Sequence, residues 1–281
     1  MNKIKTVIIP VAGKGTRFLP ITKSIPKTMF PVVNKPVIQH LIEEALRANI
    51  SNIIIVISKE QEMIKDYFDI NSMYYKTLNK RSEEILELDK LIKNVNIKFI
   101  IQDNPRGLGD AIIKCKDYII GDAFALMLGD DLVLSDELEY GISDLVKKYE
   151  MKEASYIGIK EVPLDKTYKY GIIKLMDNTN RIEYMVEKPK TNPPSRFAAV
   201  GRYIFKTNIF SYLEKINDDT KEEIMLTDAI NILINEDKVY ACLFKGERFD
   251  IGDHLGYILA NIKYGFNDEN IKKSVLEYIK D

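Results

Sequence analysis

The sequence contains little cysteine, little net charge and no long apolar run. Cys115 and Cys242 are its only cysteines, and they lie in apolar surroundings without the spacing of a zinc site, so both are predicted to be core residues. The 41 Lys+Arg and 42 Asp+Glu give a formal charge of −1, which leaves no global basic field to attract nucleic acid or an acidic membrane. Any anion that the chain binds must therefore be held by local groups.

Membrane-spanning and exported proteins are also disfavoured. No stretch approaches the ~18 uninterrupted apolar residues of a membrane span, and the N-terminus lacks the apolar region of a signal peptide, so we expect a cytoplasmic protein. The 281 residues are 46% apolar and 30% charged, which is typical of a globular chain with a sizeable core. Because no repeat, low-complexity tract or linker interrupts the sequence, we predict one domain over residues 1–281.

Short β-branched runs alternate with segments of helical period, a pattern typical of a sheet with helices on its faces. Apolar, β-branched runs predict a first group of strands at residues 6–11, 52–58, 97–102 and 123–128. The charged segment 59–96 is interpreted as a helical insertion at the edge of the sheet. Beyond residue 150 a more mixed sheet is predicted, with strands at 155–160, 171–175, 182–186, 198–205 and 239–244, and helices at 228–235, 253–265 and 269–280. The predicted fold class is α/β, a Rossmann-like three-layer mixed sheet with helices on both faces and a smaller mixed β region.

A glycine-containing loop follows the first predicted strand. Gly13 and Gly15 let the backbone turn tightly and approach an anion closely, although an ordinary βα turn would look similar. The spacing fits neither the dinucleotide fingerprint nor the P-loop. Arg17, Lys23 and Lys27 follow, and three prolines keep this cationic segment out of a helix, so we predict a rigid, extended segment beside a phosphate site.

Carboxylates follow two further predicted strands. The apolar run 123–128 leads into Gly129, Asp130 and Asp131, and Asp250 follows another strand-like run late in the chain. The carboxyl ends of parallel strands are where ligands of open α/β sheets gather, and Mg²⁺ takes one or two carboxylates together with substrate phosphates and water. Taken alone, Gly-Asp pairs of this kind are more often ordinary turns.

The segment at residues 11–39 resembles the signature of the bacterial UTP–glucose-1-phosphate uridylyltransferases, within the sugar-nucleotide pyrophosphorylases. The likeness extends over nearly the whole chain in further blocks. These are Gly-Leu-Gly at 107–109, Gly-Asp-Asp at 129–131, Tyr-Gly at 170–171, Val-Glu-Lys-Pro at 186–189, Val-Gly-Arg-Tyr at 200–203, Leu-Thr-Asp-Ala at 226–229 and Asp-Ile-Gly at 250–252. The resemblance implies a nucleotide lobe over residues 1–150 and a sugar-phosphate lobe over 151–281.

The resemblance also implies roles for individual residues. It gives the phosphate chemistry to Arg17 and Lys27, and it places Mg²⁺ on Asp130 and Asp250. It assigns the remaining contacts with UTP and glucose 1-phosphate to Ala12, Gly13, Gly15, Thr16, Gln102, Gly107, Asp131, Gly171, Glu187, Lys188 and Gly201. A primary amide such as that of Gln102 can donate to one uracil carbonyl and accept from N3–H at the same time. The family further implies a homodimer or homotetramer.

The expected reaction is attack by the sugar phosphate on the α-phosphorus of UTP, with pyrophosphate leaving in line. A phosphate monoester has its second pKa near ~6, so the nucleophile needs no protein base, which agrees with a chain that has only His40 and His254. The obstacle is repulsion between two polyanions, about 4 kcal/mol per unit-charge pair at ~4 Å and an effective dielectric of ~20. Cations must therefore surround the contact.

The sequence departs from the usual pattern of these enzymes at two positions, and it leaves three alternative functions open. Thr28 stands where these enzymes commonly carry an acidic residue that contacts the nucleoside, and Met225 stands where a glutamine is usual. A thymidylyltransferase is the nearest alternative, because a single methyl group is discriminated by only ~1 to 3 kcal/mol. A sugar-nucleotide sensor without activity and a Rossmann dehydrogenase are the others.

Overall fold

The computed structural model describes residues 3–71, 77, 83–134, 140–218, 220, 222–243 and 245–280. The strands are β1 (Thr6–Pro10), β2 (Pro31–Val32), β3 (Lys35–Pro36), β4 (Asn52–Ile57), β5 (Asn96–Ile101), β6 (Ala123–Met127), β7 (Asp131–Leu134), β8 (Ser155–Glu161), β9 (Gly171–Leu175), β10 (Ile182–Glu187), β11 (Phe197–Lys206), β12 (Val239–Leu243) and β13 (Glu247–Asp250). The helices are α1 (Val37–Arg47), α2 (Met63–Phe68), α3 (Glu83–Lys93), α4 (Gly107–Ile113), α5 (Ile142–Met151), α6 (Ile209–Ile216), α7 (Leu226–Glu236), α8 (His254–Gly265) and α9 (Glu269–Lys280).

The main sheet is mixed. Strands β5, β4, β1 and β6 run parallel in that order, and the long strand β11 joins β6 in antiparallel register. On its far side β11 pairs with β8, and its first residues pair with β9, which forms a hairpin with β10. β11 therefore connects the parallel half of the sheet to the antiparallel half, and the predicted mixed sheet is confirmed.

Both faces of the sheet are buried. On β1, Val7 and Ile9 belong to one apolar cluster and Ile8 to the other, because successive side chains of a strand point to opposite faces. Helices α1 and α5 cover the first face, while α4, α6 and α7 cover the second. This is why the strands read as continuous apolar runs, and the predicted three-layer α/β fold is confirmed.

Several other predictions can be compared with the fold. Both cysteines are buried, as expected. The predicted insertion at 59–96 contains α2 and α3, but its residues 72–76 and 78–82 lie outside the described residues, as does residue 244 at the end of a predicted strand.

The prediction of an extended cationic segment after the glycine loop was wrong. Three short 3₁₀ turns form there instead, at Thr16–Phe18, Ile21–Lys23 and Lys27–Met29, because a proline before or within such a short turn is compatible with its geometry. Within the described residues no helix is long and apolar enough to cross a membrane.

A two-stranded antiparallel ribbon stands beside the main sheet. Strand β7 begins directly after the turn that ends β6, and it pairs with β13 so that Asp131 lies opposite Asp250. The backbone N–H of Ile251 then donates to the carbonyl of Asp130 at 2.9 Å. The ribbon thus brings carboxylates that are more than a hundred positions apart in sequence to one end of the sheet.

A buried ion pair ties this ribbon to the core. Arg202 is completely buried, and its Nε and Nη2 donate to the two carboxylate oxygens of Glu44 at 2.8 and 2.7 Å. Nη2 also donates to the carbonyl of Asp131 at 2.9 Å, and Glu44 accepts the N–H of Ile142 at 2.9 Å. The pair therefore joins α1, α5, β11 and the ribbon at a single point.

We expect Glu44→Gln to lower the free energy of unfolding by about 3 to 5 kcal/mol, because it leaves the guanidinium of Arg202 buried without its counter-charge. Urea denaturation followed by circular dichroism measures the change. Glu161→Gln is the control, because Glu161 pairs with Arg196 at 3.1 Å with both side chains more than half exposed, and such pairs contribute about 0 to 1 kcal/mol. Equal effects for the two variants would contradict the expectation.

Candidate active site

Three cavities adjoin one another at the carboxyl ends of β1, β5 and β6. The large cavity, about 640 Å³, includes the site candidates Arg17, Asp130, Asp131, Gly171, Glu187, Lys188, Gly201 and Asp250 in its lining. The small cavity, about 230 Å³, includes Gly13, Gly15, Lys27 and Asp130, and the loop cavity, about 450 Å³, includes Ala12, Gly13, Thr16 and Gln102. Asp130 lines the first two and Gly13 the last two, so the cavities form one continuous cleft.

This cleft brings together nearly all of the residues that were predicted from the sequence. Gly107 is the one candidate that does not line a cavity; it begins α4 next to Leu108, which does. Residues from both segments, 1–150 and 151–281, therefore line the same cleft. Lys23, whose side chain is exposed, lines the loop cavity rather than the two cavities that Asp130 lines.

The glycine loop is held from behind by protein groups. Gln61 donates to the carbonyls of Val11 and Gly13 at 2.9 and 3.3 Å, and the hydroxyl of Thr22 donates to the carbonyl of Gly15 at 2.9 Å. Gly15 has φ +60°, a left-handed conformation that favours glycine. A Cβ built at Gly13 would meet no atom within 4 Å, so the outer side of the loop is open to a ligand.

Arg17 links the glycine loop to the far end of the chain. Its Nη1 donates to the carbonyl of Gly252 at 3.1 Å, two residues beyond Asp250. The ring of Phe18 packs against the rings of His254, at 4.6 Å between centroids, and Phe30, at 5.3 Å. These contacts hold the guanidinium of Arg17 at the large cavity beside the carboxylates.

Lys27 lies between the small cavity and Asp130. Its Nζ donates to Oδ2 of Asp130 at 3.1 Å, and its side chain is only 18% exposed. Desolvation would raise the pKa of Asp130, but Lys27, with help from Arg248, outweighs this effect and lowers it. Asp130 is therefore held as a carboxylate, the form in which oxygen ligates a metal.

Asp250 and Asp130 face a common space. A Cβ built on Gly252 would lie 2.8 Å from Oδ1 of Asp250 and 3.6 Å from Oδ2 of Asp130. It would also lie 3.0 Å from Nη1 of Arg17. Glycine at this position thus leaves room between the two carboxylates, and the antiparallel ribbon rather than local sequence creates that room.

Arg248 is a cleft residue that the sequence analysis missed. It forms an ion pair with Asp131, lies 3.9 Å from Oδ2 of Asp250, and stacks over the ring of Tyr170 at 4.6 Å. Burial raises the pKa of Asp131 to about 6, although Arg248 opposes the shift. The sequence could have pointed to Arg248, because it lies two residues before Asp250 and therefore on the same face of a strand.

Gln102 is placed at the loop cavity, but it is bonded in a way that the sequence did not reveal. Its Nε2 donates to the carbonyl of Gly107 at 3.2 Å and to Oδ2 of Asp110 at 2.6 Å. Both amide hydrogens are therefore used within the protein. In this arrangement only the oxygen of the amide is left for a ligand, and its contact with a base stays a prediction.

Glu187 and Lys188 lie at the opposite end of the cleft. Oε1 of Glu187 is 3.3 Å from Nζ of Lys188, and its Oε2 accepts from the hydroxyl of Thr227 at 3.0 Å. Thr227, in the first turn of α7, is a second cleft residue that the sequence analysis did not assign. A carboxylate fixed in this way can accept hydrogen bonds from the hydroxyl groups of a ligand.

Gly201 lines the large cavity next to Asp131. It has φ +60° where β11 shifts register, and a Cβ there would come within 2.4 Å of Oδ2 of Asp131. Its carbonyl accepts from the N–H of Leu128 at 2.9 Å. Glycine is therefore required by the backbone conformation and by the closeness of Asp131.

The two departures noted in the sequence both lie in the cleft. Thr28 is buried beside the small cavity, and its Oγ1 has no hydrogen-bond partner among the residues that the structure describes. Met225 lines the large cavity immediately before α7. Neither residue supplies a charge there.

The donor set of the cleft fits a hard divalent cation. Nowhere in the described ranges do three or more His, Cys, Asp or Glu side chains form a metal cluster, so a metal here would be held by few protein ligands. Asp130 and Asp250 supply two carboxylates around one space, which matches the one or two that Mg²⁺ usually takes. The remaining ligands would come from substrate phosphates and water.

Comparison with known proteins gives a consistent result. The family model described as nucleotidyl transferase matches residues 6–265. The chain is 41% identical to UTP–glucose-1-phosphate uridylyltransferase 2 of Staphylococcus saprophyticus, over 100% of this chain and 98% of the relative. These matches include all the residues that line the three cavities.

Solved structures agree with the sequence matches. A UTP-bound UGPase from Acinetobacter baumannii superposes with a TM-score of 0.88 at 33% identity, covering 99% of both chains. A UDP-glucose pyrophosphorylase complexed with UDP-glucose superposes with a TM-score of 0.83 at 36% identity, covering 94% of this chain and 100% of the other. Both were solved with a nucleotide bound.

Proposed function

The chain belongs to the nucleotidyl transferase family, among the relatives of the UTP–glucose-1-phosphate uridylyltransferases, and we propose that it makes UDP-glucose and pyrophosphate from UTP and glucose 1-phosphate. The observation that carries this proposal is the continuous cleft. Its three cavities offer a polar amide at one end, cations and carboxylates in the middle, and the pair Glu187 and Lys188 at the other. These three parts match, in the same order, the groups that the two substrates present: a nucleoside, a triphosphate and a sugar phosphate.

The triphosphate is proposed to bind over the glycine loop between Arg17 and Lys27. The small cavity lies between Lys27 and the loop, and Arg17 faces the large cavity next to it. Two fixed cations offset the repulsion that arises when the sugar phosphate approaches, and they stabilise the negative charge that moves onto the leaving pyrophosphate. Holding both substrates in line could supply ~7 to 11 kcal/mol of the barrier.

No protein base is assigned to the reaction. His40 is half-buried on α1, where its Nε2 contacts the carbonyl of Val32 at 3.2 Å, and His254 packs against Phe18. Neither histidine lines the cleft. This supports a nucleophile that is already ionised, as expected for a phosphate monoester whose second pKa is near ~6.

Asp130 and Asp250 are proposed to hold Mg²⁺. When bound, the ion would act as a Lewis acid on the phosphate oxygens. Lys27 keeps Asp130 ionised, and the N–H of Gly252 donates to Oδ1 of Asp250 at 2.9 Å, which fixes the direction of that carboxylate. We expect turnover to stop in EDTA and to return when Mg²⁺ is added in excess.

The sugar end is proposed to read the hexose through Glu187 and its phosphate through Lys188. Carboxylate oxygens accept from hydroxyl groups, and a lysine ammonium is a compact charge that suits a phosphate. Gly171 and Gly201 are proposed to bring the backbone close to the sugar, and both line the large cavity. Asp131, which forms an ion pair with Arg248, is also proposed to contact the substrate next to these glycines.

Thr227→Val is expected to raise the KM for glucose 1-phosphate by about tenfold, because Oε2 of Glu187 loses a hydrogen bond and the carboxylate is no longer fixed. The KM for UTP should stay within about twofold, since Thr227 does not line the small or the loop cavity. Steady-state kinetics with each substrate varied in turn measures both. Thr227→Ser keeps the hydroxyl and should restore the wild-type KM; an unchanged KM in the valine variant would refute the role.

The proposed function is tested by one matrix of assays. UTP, dTTP, CTP and ATP are each combined with glucose, galactose and N-acetylglucosamine 1-phosphates in the presence of Mg²⁺, and pyrophosphate release is measured. The highest kcat/KM is expected for UTP with glucose 1-phosphate. A clear preference for dTTP would identify a thymidylyltransferase instead, and no release with any pair would indicate a binding protein without activity.

A homodimer or homotetramer is also proposed, with the C-terminal helices as the contact. Leu255, Ile258 and Leu259 on α8 and Leu276 and Ile279 on α9 are large apolar side chains with more than a third of their surface exposed. Exposed apolar side chains of this kind often mark a protein interface. Light scattering after size-exclusion chromatography measures the mass, and a value near the 32.4 kDa of a single chain would refute the assembly.

A further inference from the structure

The amide of Gln102 is held by a buried carboxylate. Nε2 of Gln102 and Oδ2 of Asp110 are 2.6 Å apart, and the two residues are only 3% and 5% exposed. A hydrogen bond between a charged and a neutral group is about twice as strong as one between neutral groups, and little water competes for it here. This contact therefore dominates the surroundings of the Gln102 side chain.

The surroundings permit only one orientation of the amide. Nε2 donates to Oδ2 of Asp110 and to the carbonyl of Gly107, and a carboxylate and a carbonyl can only accept. If the amide were rotated by half a turn, Oε1 would face two oxygen atoms in a buried place. Such a contact leaves Oε1 of Gln102 and Oδ2 of Asp110, both on buried residues, facing each other without a donor, which is costly.

Both partners are fixed by the backbone. The N–H of Gln102 donates to the carbonyl of Ile57 at 2.8 Å, which holds the residue at the end of β5. Asp110 lies in the first turn of α4, and the N–H of Gly109 just before it donates to the carbonyl of Ile224 at 2.9 Å. Neither side chain is carried by a loose loop, so the orientation of the amide is set by the fold.

The orientation determines what a ligand meets. Gln102 lines the loop cavity, and Oε1 accepts no hydrogen bond from the described residues. An oxygen with no donor requires one from the ligand. Uracil and thymine carry a hydrogen on N3, whereas N3 of cytosine is an acceptor and would face Oε1 with two lone pairs opposed.

We propose that Asp110 is the residue that makes this site select pyrimidines with an N3–H, by turning the amide of Gln102 so that only its oxygen faces the base. The inference rests on the proposed function, because it takes the loop cavity as the place of the nucleoside base. It adds to that function a physical reason for rejecting CTP. Asp110 acts through Gln102, so it is a positioning residue and not a catalytic one.

The experiment replaces Asp110 with asparagine. Asparagine has nearly the same shape but can donate through Nδ2, so the rotated amide of Gln102 gains a partner and the cost of rotation falls. The ratio of kcat/KM for UTP to that for CTP should fall by about tenfold or more, with much of the change from increased use of CTP. Calorimetric binding of UTP and CTP without sugar phosphate gives the same ratio without turnover.

Asp117→Asn is the matched control. Asp117 is exposed in the 3₁₀ turn Lys116–Tyr118, so its replacement makes the same change of charge outside the cleft and should leave the UTP/CTP ratio unchanged. Thermal unfolding shows whether each variant is folded. If Asp110→Asn does not fold, Asp110→Leu removes the acceptor without adding a donor, and the ratio should fall because UTP binds more weakly.

The outcomes separate the inference from the function. A folded Asp110 variant with the wild-type UTP/CTP ratio would overturn the role of Asp110, even if the wild-type protein makes UDP-glucose. If the wild-type protein releases no pyrophosphate from UTP and glucose 1-phosphate, the proposed function fails. The binding ratio of the variants would then still test whether Asp110 orients Gln102.

Discussion

Replacement of Lys27 by alanine should lower kcat by about 10²- to 10³-fold, the size of effect seen when one preorganised group that stabilises developing charge is removed. Water cannot easily take over the role of the Lys27 ammonium, because the side chain is only 18% exposed and its Nζ donates to Asp130 at 3.1 Å. The loss removes a cation from the small cavity. It also removes the main charge that lowers the pKa of Asp130.

The KM for glucose 1-phosphate should change much less than kcat, because Lys27 lines the small cavity and not the large one. Stopped-flow or coupled measurement of pyrophosphate release, with each substrate varied, separates the two constants. Lys5→Ala is the control, because Lys5 is exposed before β1 and outside the cleft. A Lys27→Ala enzyme with near-normal kcat would remove Lys27 from the mechanism.

Asp250→Asn should abolish most of the activity and weaken the binding of a divalent cation. We expect kcat to fall by about 10²-fold or more, because one of the two proposed protein ligands of the metal is lost. The affinity for Mn²⁺, used as a paramagnetic substitute for Mg²⁺, should fall by at least about tenfold. Because binding is measured by electron paramagnetic resonance in the presence of UTP alone, this readout does not depend on turnover.

The control for this experiment is Asp177→Asn, on an exposed turn after β9. It makes the same change of charge and should affect neither constant. Asp130→Asn should resemble Asp250→Asn in both measurements, because the two carboxylates face one space beside Gly252. Wild-type affinity for Mn²⁺ in both cleft variants would place the metal elsewhere.

The positions of the main strands were predictable because their signal is local. The run at residues 6–11 is apolar and β-branched over its whole length, and the structure has β1 at Thr6–Pro10. The run at 171–175 coincides with β9, and the helix predicted at 269–280 coincides with α9. In each case the hydrophobic pattern of the segment itself decides its structure.

Other elements were missed because their stability comes from contacts. Strand β7 has four residues, too short for a periodic signal, and it exists because it pairs with β13. The strand-like run before Asp250 was visible in the sequence, but its pairing with β7 was not. Helix α4 begins with Gly107, a poor helix former, and it is held by the bond from Gly109 to Ile224. The proline-rich segment was also misjudged, since three short turns satisfy the same local preferences as an extended chain.

By itself the sequence determined the main strands, the glycine loop, the cations after it and the Gly-Asp-Asp turn, because each depends on residues that are neighbours in the chain. The tertiary structure decided which of these groups meet. Pairing of β7 with β13 sets Asp250 beside Asp130 and brings in Arg248, and the buried contact with Asp110 turns the amide of Gln102. Such contacts join residues through space, and the free energy that selects them comes from burial and hydrogen bonding, which no local pattern encodes.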